Sequence, residues 1–499
     1  MPLRRFRNRN VDPNRGRTSR EERLGIEHGR RYRRPPGTEP ERIGDPFGRE
    51  GRSHRERAVL FGAVFPEEQS PHEAPLTELE RLAETAGALV ASKLTQRREQ
   101  PHSSTFVGPG FVETVRECAE RTAADLLIAD NELSPSQAFN IEKRAGRRVI
   151  DRAELILDIF AAHARSREAK TAVELAQLEY ALPRLKRLWT HLERQRGGIG
   201  LRGPGEAQIE TDRRLVKKRI AELRRVLKQI QERKQRELKA RGEIFTVALV
   251  GYTNAGKSTL LNALCGLEQK TADQLFATLD TKTALLDLGR PFRALLTDTV
   301  GFIQKIPHHL IASFHATLAE VKEADLLLHV VDASHPEAER HIEAVLEVLQ
   351  QIGAAERPRL LLFNKVDLLA DAMHLAHLRR RFPGALEISA RTGAGLEILR
   401  ECVIAAMRAR MQRVRVELPV AAGAAIAYVH QHAEVIEEHY DERGAVIEAR
   451  IEPRDLGPLE GMLGESGRIE VLGPAVPPAL APGELAPPPA TAAMPTTPA

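Results

Sequence analysis

The sequence predicts a multidomain α/β protein, and three observations carry this prediction. Its 499 residues exceed the length of one typical domain, so two to four domains are expected. Buried-strand patterns alternate with helical patterns over two separate stretches, which is typical of sheets covered by helices. Long apolar repeats of the coiled-coil type lie between those stretches. We predict a basic disordered arm at 1–57, an N-terminal α/β domain at 58–167, a long antiparallel helical hairpin at 168–241, a doubly wound parallel-sheet domain at 242–413, a small α+β C-terminal domain at 414–472 and a Pro/Ala-rich disordered tail at 473–499.

The net charge of +5 is concentrated in the arm. Residues 1–57 contain 17 Arg, no Lys and 9 acidic residues, so this segment alone carries +8. An arginine-rich segment with few large apolar residues is not expected to fold alone. Two interpretations stay open for it: electrostatic attachment to a polyanion such as RNA, or a solvated tail.

The composition also bears on location. No uninterrupted apolar run approaches the roughly 20 residues that a membrane helix needs, and the N-terminal arginines lack the apolar segment of a secretory signal. Cys118, Cys265 and Cys402 show no pairing or metal-ligand spacing, which fits a reducing compartment. We expect a cytoplasmic monomer without a membrane span; peripheral membrane association is an alternative left open.

The N-terminal domain shows the first alternating stretch. AVLFGAVF at 58–65 predicts a strand and LTELERLAETAGALV at 76–90 predicts a helix. VETVRECAERT at 112–122 then predicts a helix and ADLLIAD at 124–130 a strand. No catalytic constellation stands out in this domain.

Two a/d seams predict the helical hairpin. A glycine-rich run, RGGIGLRGPG at 196–205, separates them, and no helix would tolerate it. Pro183 should kink or interrupt the first helix. The first seam consists of Leu175, Leu178, Leu182, Leu185, Trp189 and Leu192, and the second of Ile209, Val216, Ile220, Leu223, Leu227 and Ile230.

The next domain contains a phosphate-binding loop between an apolar strand and a helix. Successive backbone N–H groups of such a loop cradle phosphates. Lys257 is expected to pair with the β- and γ-phosphates of a nucleotide, and Ser258 to offer its hydroxyl to Mg²⁺. The nucleotide-binding residues predicted here are Gly251, Tyr252, Thr253, Asn254, Ala255, Gly256, Lys257 and Ser258.

Three further motifs end strands of the same domain. In DTVG (Asp298, Thr299, Val300, Gly301) the aspartate is placed to hold Mg²⁺ through water and the glycine amide to meet a γ-phosphate. In NKVD (Asn364, Lys365, Val366, Asp367) the aspartate can accept two hydrogen bonds from guanine, and adenine lacks that donor pair. SAR (Ser389, Ala390, Arg391) should support the base. Together they predict a P-loop GTPase domain that converts GTP to GDP and phosphate with Mg²⁺.

Hydrolysis is expected to be slow without a partner. Phe302 stands where Ras-type enzymes place the glutamine that orients water, and an apolar side chain cannot polarise water. Asn254 resembles the asparagine of GTPases that hold K⁺ beside the phosphates, so K⁺ is a candidate second cofactor. Thr278 is the best candidate for a second Mg²⁺-ligating hydroxyl, with Thr271, Thr281 and Thr283 as competitors.

Several long motifs resemble the HflX family of ribosome-associated GTPases, within the Obg-HflX superfamily. They are GGIGLRGPGEAQIETDRR (Gly197–Arg214), GYTNAGKST, LFATLD, DTVGFIQKIPHHLIASFHATL (Asp298–Leu318) and the segment Glu132–Lys170. The resemblance covers about residues 58–472. It implies GTP contacts at the residues above and also at Phe276, Ala277, Thr278, Leu279 and Asp280, with Mg²⁺ at Ser258 and Thr278.

The same resemblance implies a partner and a task. The partner is the large ribosomal subunit with its RNA, and the task is GTP-controlled splitting of stalled or stress-damaged ribosomes. The candidate ribosome contacts are Gly197, Gly198, Gly200, Arg202, Gly203 and Gly205. The alternative is a GTP-gated RNA or ribosome tether in which hydrolysis only times release. An ATP-driven RNA remodeller is disfavoured by NKVD, although a weak second nucleotide site in the N-terminal domain stays open.

Overall fold

The structure is a computed structural model. It describes residues 56–66, 74–185, 206–240, 244–267, 276, 281–303, 320–369, 372–419, 422–442, 444–463 and 467–474, with the backbone alone for 206–209, 234–240 and 372. The arm up to residue 55, the glycine-rich run, Trp189, Leu192, the segment 277–280 and the tail from 475 lie outside the described residues.

The N-terminal domain is a parallel four-stranded sheet in the order β2-β1-β3-β4. The predicted strand at 58–65 and the predicted helix at 112–122 are confirmed. The helix predicted at 76–90 is wrong at its end, because Gly87 adopts φ 86° and turns the chain into an edge strand. The elements are β1 (Arg57–Val64), α1 (Thr77–Thr85), β2 (Leu89–Arg97), α2 (Pro109–Arg121), β3 (Leu126–Ala129), α3 (Pro135–Ala145), β4 (Arg148–Asp151) and α4 (Arg152–His163).

Two helices follow, α5 (Arg167–Ala181) and α6 (Glu206–Ala240), and they pack against each other. The expected interruption is confirmed, since α5 gives way to a 3₁₀ turn at Leu182–Arg184 that contains Pro183. The described centre of both seams is buried: Leu175, Leu178, Val216, Ile220, Leu223 and Leu227.

The third part is a six-stranded sheet in the order β10-β9-β8-β5-β7-β6. The predicted parallel sheet is confirmed: its strands are parallel except the edge strand β6, which pairs antiparallel with β7. The elements are β5 (Phe245–Gly251), α7 (Lys257–Cys265), β6 (Lys282–Asp287), β7 (Arg293–Asp298), β8 (Leu326–Asp332), α8 (Ala338–Gln351), β9 (Arg359–Asn364), α9 (Ala372–Arg381), β10 (Leu386–Glu387) and α10 (Leu396–Arg408).

The C-terminal part is a βαββαβ unit with an antiparallel sheet in the order β12-β13-β11-β14. Strand β12 was not predicted, and β14 continues to Pro474, two residues into the segment predicted as tail. The elements are β11 (Gln412–Pro419), α11 (Gly423–His432), β12 (Ala433–Asp441), β13 (Gly444–Ile451), α12 (Pro453–Leu463) and β14 (Arg468–Pro474).

One apolar cluster joins the first three parts of the chain. It includes Ile156 and Phe160 from α4, Leu223 from α6, and Val250 and Leu349 from the six-stranded sheet and its covering helix α8. These parts therefore share buried surface, and that surface lies directly behind the P-loop. Among the described residues, no helix is both long enough and apolar enough to cross a membrane.

Candidate functional site

The P-loop connects the end of β5 to the start of α7. Gly251 adopts φ 155°, and a Cβ there would lie 2.2 Å from the carbonyl oxygen of Val330 on β8. Gly256 adopts φ 95°, and a Cβ there would lie 2.3 Å from Nδ2 of Asn364 on β9. Both positions therefore require glycine, because neighbouring strands approach the loop too closely for any side chain.

Lys257 lies inside the loop. Its Nζ donates to the carbonyl oxygens of Gly251 at 3.0 Å and Tyr252 at 2.8 Å. Burial lowers the pKa of Lys257 to about 8, and the nearby carboxylate of Asp298 offsets only part of that effect. A buried ammonium held by two carbonyls has a third proton to offer to a phosphate oxygen.

Ser258 and Asp298 are hydrogen-bonded to each other beside the P-loop lysine. The Ser258 hydroxyl donates to Oδ2 of Asp298 at 2.6 Å, and Asp298 is fully buried at the end of β7. A hydroxyl and a carboxylate side by side are the hard oxygen donors that Mg²⁺ prefers. The residues present therefore fit the ion, while the third candidate, Thr278, lies outside the described residues.

The segment after Asp298 is hydrogen-bonded to the P-loop. The Phe302 amide donates to the Gly251 carbonyl at 3.1 Å, and the Thr253 amide donates to the Phe302 carbonyl at 2.7 Å. At Gly301 a Cβ would lie 2.9 Å from Cα of Thr253 and 3.1 Å from Nζ of Lys257. The Gly301 backbone thus runs beside the lysine, where a γ-phosphate would sit.

Phe302 directs its side chain away from this position. The side chain is 3% exposed and belongs to the apolar cluster behind the P-loop, together with Tyr252 and Phe276. The described part of the site therefore places an apolar ring in the core at the position where Ras-type enzymes present their glutamine.

Asn364 connects the P-loop to the loop after β10. Its Nδ2 donates to the Ala255 carbonyl at 2.8 Å, and its Oδ1 accepts from the Ala390 amide at 2.9 Å. The asparagine is 2% exposed, and its side-chain nitrogen and oxygen each have a backbone partner. It therefore holds the P-loop against the loop after β10.

Asp367 is the candidate base reader. Its Oδ1 accepts from the Ser389 hydroxyl at 2.7 Å, and its Oδ2 pairs with Arg391 at 2.7 Å. The Ser389 hydrogen bond, with Arg391 adding to it, lowers the pKa of Asp367 below its ordinary value. The carboxylate is therefore charged at neutral pH. Beside it, Lys365 adopts φ 64° and pairs with Asp332 at 2.7 Å.

The sequence-predicted residues thus fall into three groups. The P-loop, Asp298–Gly301, Asn364–Asp367 and Ser389–Arg391 converge at the carboxyl edge of the six-stranded sheet. Ala277, Leu279 and Asp280 lie outside the described residues, as do all six candidate ribosome contacts. Phe276 is described, and its ring meets the ring of Phe160 edge-on at 4.6 Å.

Sequence reasoning missed the N-terminal side of the site. The Tyr252 hydroxyl donates to Glu78 on α1, 174 residues earlier in the chain, and Phe160 on α4 holds Phe276. Neither contact has a local sequence signal, because Glu78 and Phe160 lie in ordinary helical patterns.

Three family models match consecutive stretches of the chain. They are described as GTP-binding GTPase N-terminal, at 73–161, GTP-binding GTPase Middle Region, at 163–241, and 50S ribosome-binding GTPase, at 246–365.

Curated relatives match most of the chain. The GTPase HflX of Alkalihalophilus pseudofirmus is 43% identical over 389 residues, covering 78% of this chain and 91% of that protein. The GTPase HflX of Escherichia coli K12 is 42% identical over 394 residues, covering 78% and 92%. The GTPase HflX of Magnetococcus marinus is 43% identical over 420 residues, covering 83% and 97%. With this identity over nearly the whole of each relative, the chain belongs to the HflX family of GTPases.

Proposed function

We propose that this GTPase binds GTP with Mg²⁺ at the carboxyl edge of the six-stranded sheet and uses GTP hydrolysis to act on the ribosome. The observation that carries the nucleotide half is the convergence of a buried P-loop lysine, the Ser258–Asp298 pair and the Asp367 carboxylate at one sheet edge. Parallel strands bring their ligand loops to that edge.

The base would be read by Asp367. Its charged oxygens can accept the N1–H and N2–H donors of guanine, while Ser389 and Arg391 keep the carboxylate oriented. Adenine presents no such pair of donors, so GTP should bind and ATP should not. Competition of ATP and GTP for a fluorescent guanine nucleotide tests this, and equal competition would refute it.

The phosphates would be held by Lys257, the P-loop amides and Mg²⁺. Ser258 and Thr278 would ligate the ion directly, and Asp298 through water. The ion supplies charge neutralisation of the phosphate oxygens. The chain itself contributes the Lys257 ammonium, the Gly301 amide beside it, and a glycine-lined loop that admits the phosphate closely.

Intrinsic hydrolysis should be slow because Phe302 is buried and cannot orient water. K⁺ at Asn254 is the charge that could compensate: Asn254 is exposed and adopts φ 59°, so its side chain can face bound phosphates. Turnover in KCl and NaCl at equal ionic strength tests this. Faster turnover in KCl is expected, and equal rates would exclude a K⁺ role.

The ribosomal half of the proposal has two supports. The family model matched at 246–365 is described as a 50S ribosome-binding GTPase. The face of α6 opposite the buried seam carries Arg214, Lys218 and Arg225, with Lys217 beside it, and all four are exposed. Such a stripe suits phosphate contacts along RNA. With a ribosomal partner, we expect the protein to act in the cytoplasm.

Sedimentation of ribosomes through sucrose gradients tests the ribosomal half. With GTP, the protein should convert whole ribosomes to subunits and remain with the large subunit, whereas GDP should support neither. If the protein binds ribosomes with GTP but releases no subunits at any protein concentration, the tether alternative holds and splitting is wrong. A variant with Gly197–Gly205 replaced by an equally long Gly/Ser segment should bind less and split less.

A further inference from the structure

The P-loop tyrosine is held by contacts from two directions. The Tyr252 hydroxyl donates to Oε1 of Glu78 on α1. Its ring stacks on His341 of α8, with ring centroids 3.8 Å apart and planes 9° from parallel. The tyrosine is 6% exposed, so little freedom remains to it. A side chain fixed this firmly also fixes the backbone that carries it.

That backbone carries two contacts of the nucleotide site. The Tyr252 carbonyl accepts from Lys257 Nζ at 2.8 Å. The residues on either side, Gly251 and Thr253, make the two backbone hydrogen bonds to Phe302. A shift of Tyr252 would therefore move the lysine that faces the phosphates and the segment that follows Gly301.

Glu78 is in turn held by Arg152, the first residue of α4. Arg152 pairs with Oε2 of Glu78 and, at 2.8 Å, with Asp130. The guanidinium side chain is 5% exposed, and its two carboxylate partners raise its pKa against the opposing effect of burial. Removing one partner would leave a buried charge half-compensated, which is costly.

Asp151, the residue before Arg152, contacts the helical pair α5 and α6 at its α5 end. Asp151 caps α4, and its Oδ1 accepts from the Tyr180 hydroxyl on α5 at 2.8 Å. Its Oδ2 accepts from the Leu133 amide at 3.1 Å and from Arg184 at 3.4 Å. The first turn of α4 thus holds the helical pair through Asp151 and the P-loop through Arg152 and Glu78.

We propose that Glu78 is a positioning residue for the GTPase reaction. Through Tyr252 it positions Lys257 and the Phe302 segment, and through the first turn of α4 it links these groups to the helices α5 and α6. This inference deepens the proposed function and rests on it, since it assumes that GTP occupies the P-loop. A displacement of α5 and α6 then changes the position of the phosphate-binding groups over a path of hydrogen-bonded side chains, all buried except the half-buried Glu78.

The test is a double-mutant cycle on the full chain. Tyr252→Phe removes the hydroxyl and keeps the ring on His341, and Glu78→Gln keeps the shape and removes the charge. Glu80→Gln on the same helix is the matched control, because Glu80 pairs at the surface with Lys93. Affinities for labelled GTP and GDP, kcat, KM and melting temperature are measured for each protein.

We expect each single variant to lose about tenfold in GTP affinity, the size of one hydrogen bond to a charged group. GDP affinity should fall less, because the displaced segment beside Gly301 faces the γ-phosphate. The double variant should bind GTP no more weakly than the weaker-binding single variant, and Glu80→Gln should bind GTP as wild type does. In the otherwise wild-type chain, Tyr180→Phe should also lower GTP affinity more than GDP affinity.

Three results overturn the proposal: GTP affinities equal to wild type, additive losses in the double variant, or equal losses for GTP and GDP that follow a lowered melting temperature. The last of these would assign Glu78 a merely structural role. If the wild-type protein itself does not bind GTP, the proposed function fails as well, so the two failures are distinguishable.

Discussion

Exchange of the base-reading carboxylate is the sharpest perturbation of the site. Asp367→Asn keeps the volume but replaces one acceptor oxygen by an N–H₂ donor, which would face the donors of guanine. Two hydrogen bonds from a base to a charged carboxylate contribute about 1.5–3 kcal/mol each. Their loss, about 3–6 kcal/mol, corresponds to a fall in GTP affinity of about 10²- to 10⁴-fold.

The same variant should prefer a different base. Xanthine carries a carbonyl where guanine carries the N2 amine, so the side-chain amide introduced by Asp367→Asn can donate to that carbonyl and still accept from N1–H. Binding of GTP and xanthosine triphosphate to wild type and to the variant, measured by calorimetry at equal Mg²⁺, checks both expectations.

The fold of the variant must be controlled, because Asp367 also accepts from Ser389 and pairs with Arg391. Ser389→Ala is the matched control, because it removes the hydrogen bond to Asp367 and leaves the carboxylate in place. Its GTP affinity should fall by no more than about tenfold, the contribution of one hydrogen bond. An Asp367→Asn protein that melts normally and still binds GTP nearly as tightly as wild type would show that this carboxylate does not read the base.

Three further expectations concern the phosphate side of the site. The pKa of Lys257 in the free protein is lowered to about 8 from 10.5, so its proton is lost as pH rises through 8; GTP affinity, measured by fluorescence titration, should fall over this range, and a flat profile would contradict this. Because the unfolded chain keeps that proton up to about 10.5, this group should make the free energy of unfolding rise over the same range. Gly256→Ala should abolish GTP binding in calorimetry, since its Cβ would lie 2.3 Å from Asn364 Nδ2. The control Gly266→Ala, at φ 64° with open space, should lower the free energy of unfolding by about 1 kcal/mol in thermal melts and leave GTP binding intact. Phe302→Gln should lower the free energy of unfolding in urea by about 3 kcal/mol without raising kcat, because it buries an amide in an apolar cluster; a faster, equally stable enzyme would refute this.

The nucleotide site could be predicted from sequence because each motif follows a strand. The P-loop follows β5, Asp298 ends β7 and Asn364 ends β9, and these strands are parallel neighbours or nearly so. Since parallel strands present their carboxyl ends at one edge, local motifs far apart in sequence had to converge there. The order and spacing of the motifs along the chain were therefore enough to predict the nucleotide site.

Other features had no such local signal. Strand β12 is an exposed edge strand rich in Glu, which blunts pairing with other chains and also hides the alternation of a strand. Strand β2 begins within an apparently continuous helical pattern that only Gly87 interrupts. The Glu78–Tyr252 contact joins residues 174 positions apart and depends on how two parts of the chain pack. Long-range packing of this kind has no periodicity to read.

The apolar cluster behind the P-loop also limits how this chain can be divided. A fragment starting at Ile244 would lack the residues of α4 and α6 that share one buried cluster with Val250, Phe302 and Leu349. Apolar surface exposed in this way favours self-association. A chimera that exchanges the six-stranded sheet between relatives should therefore exchange α4 with it. The crossover points should lie outside the shared apolar cluster and not at the ends of the nucleotide-binding motifs.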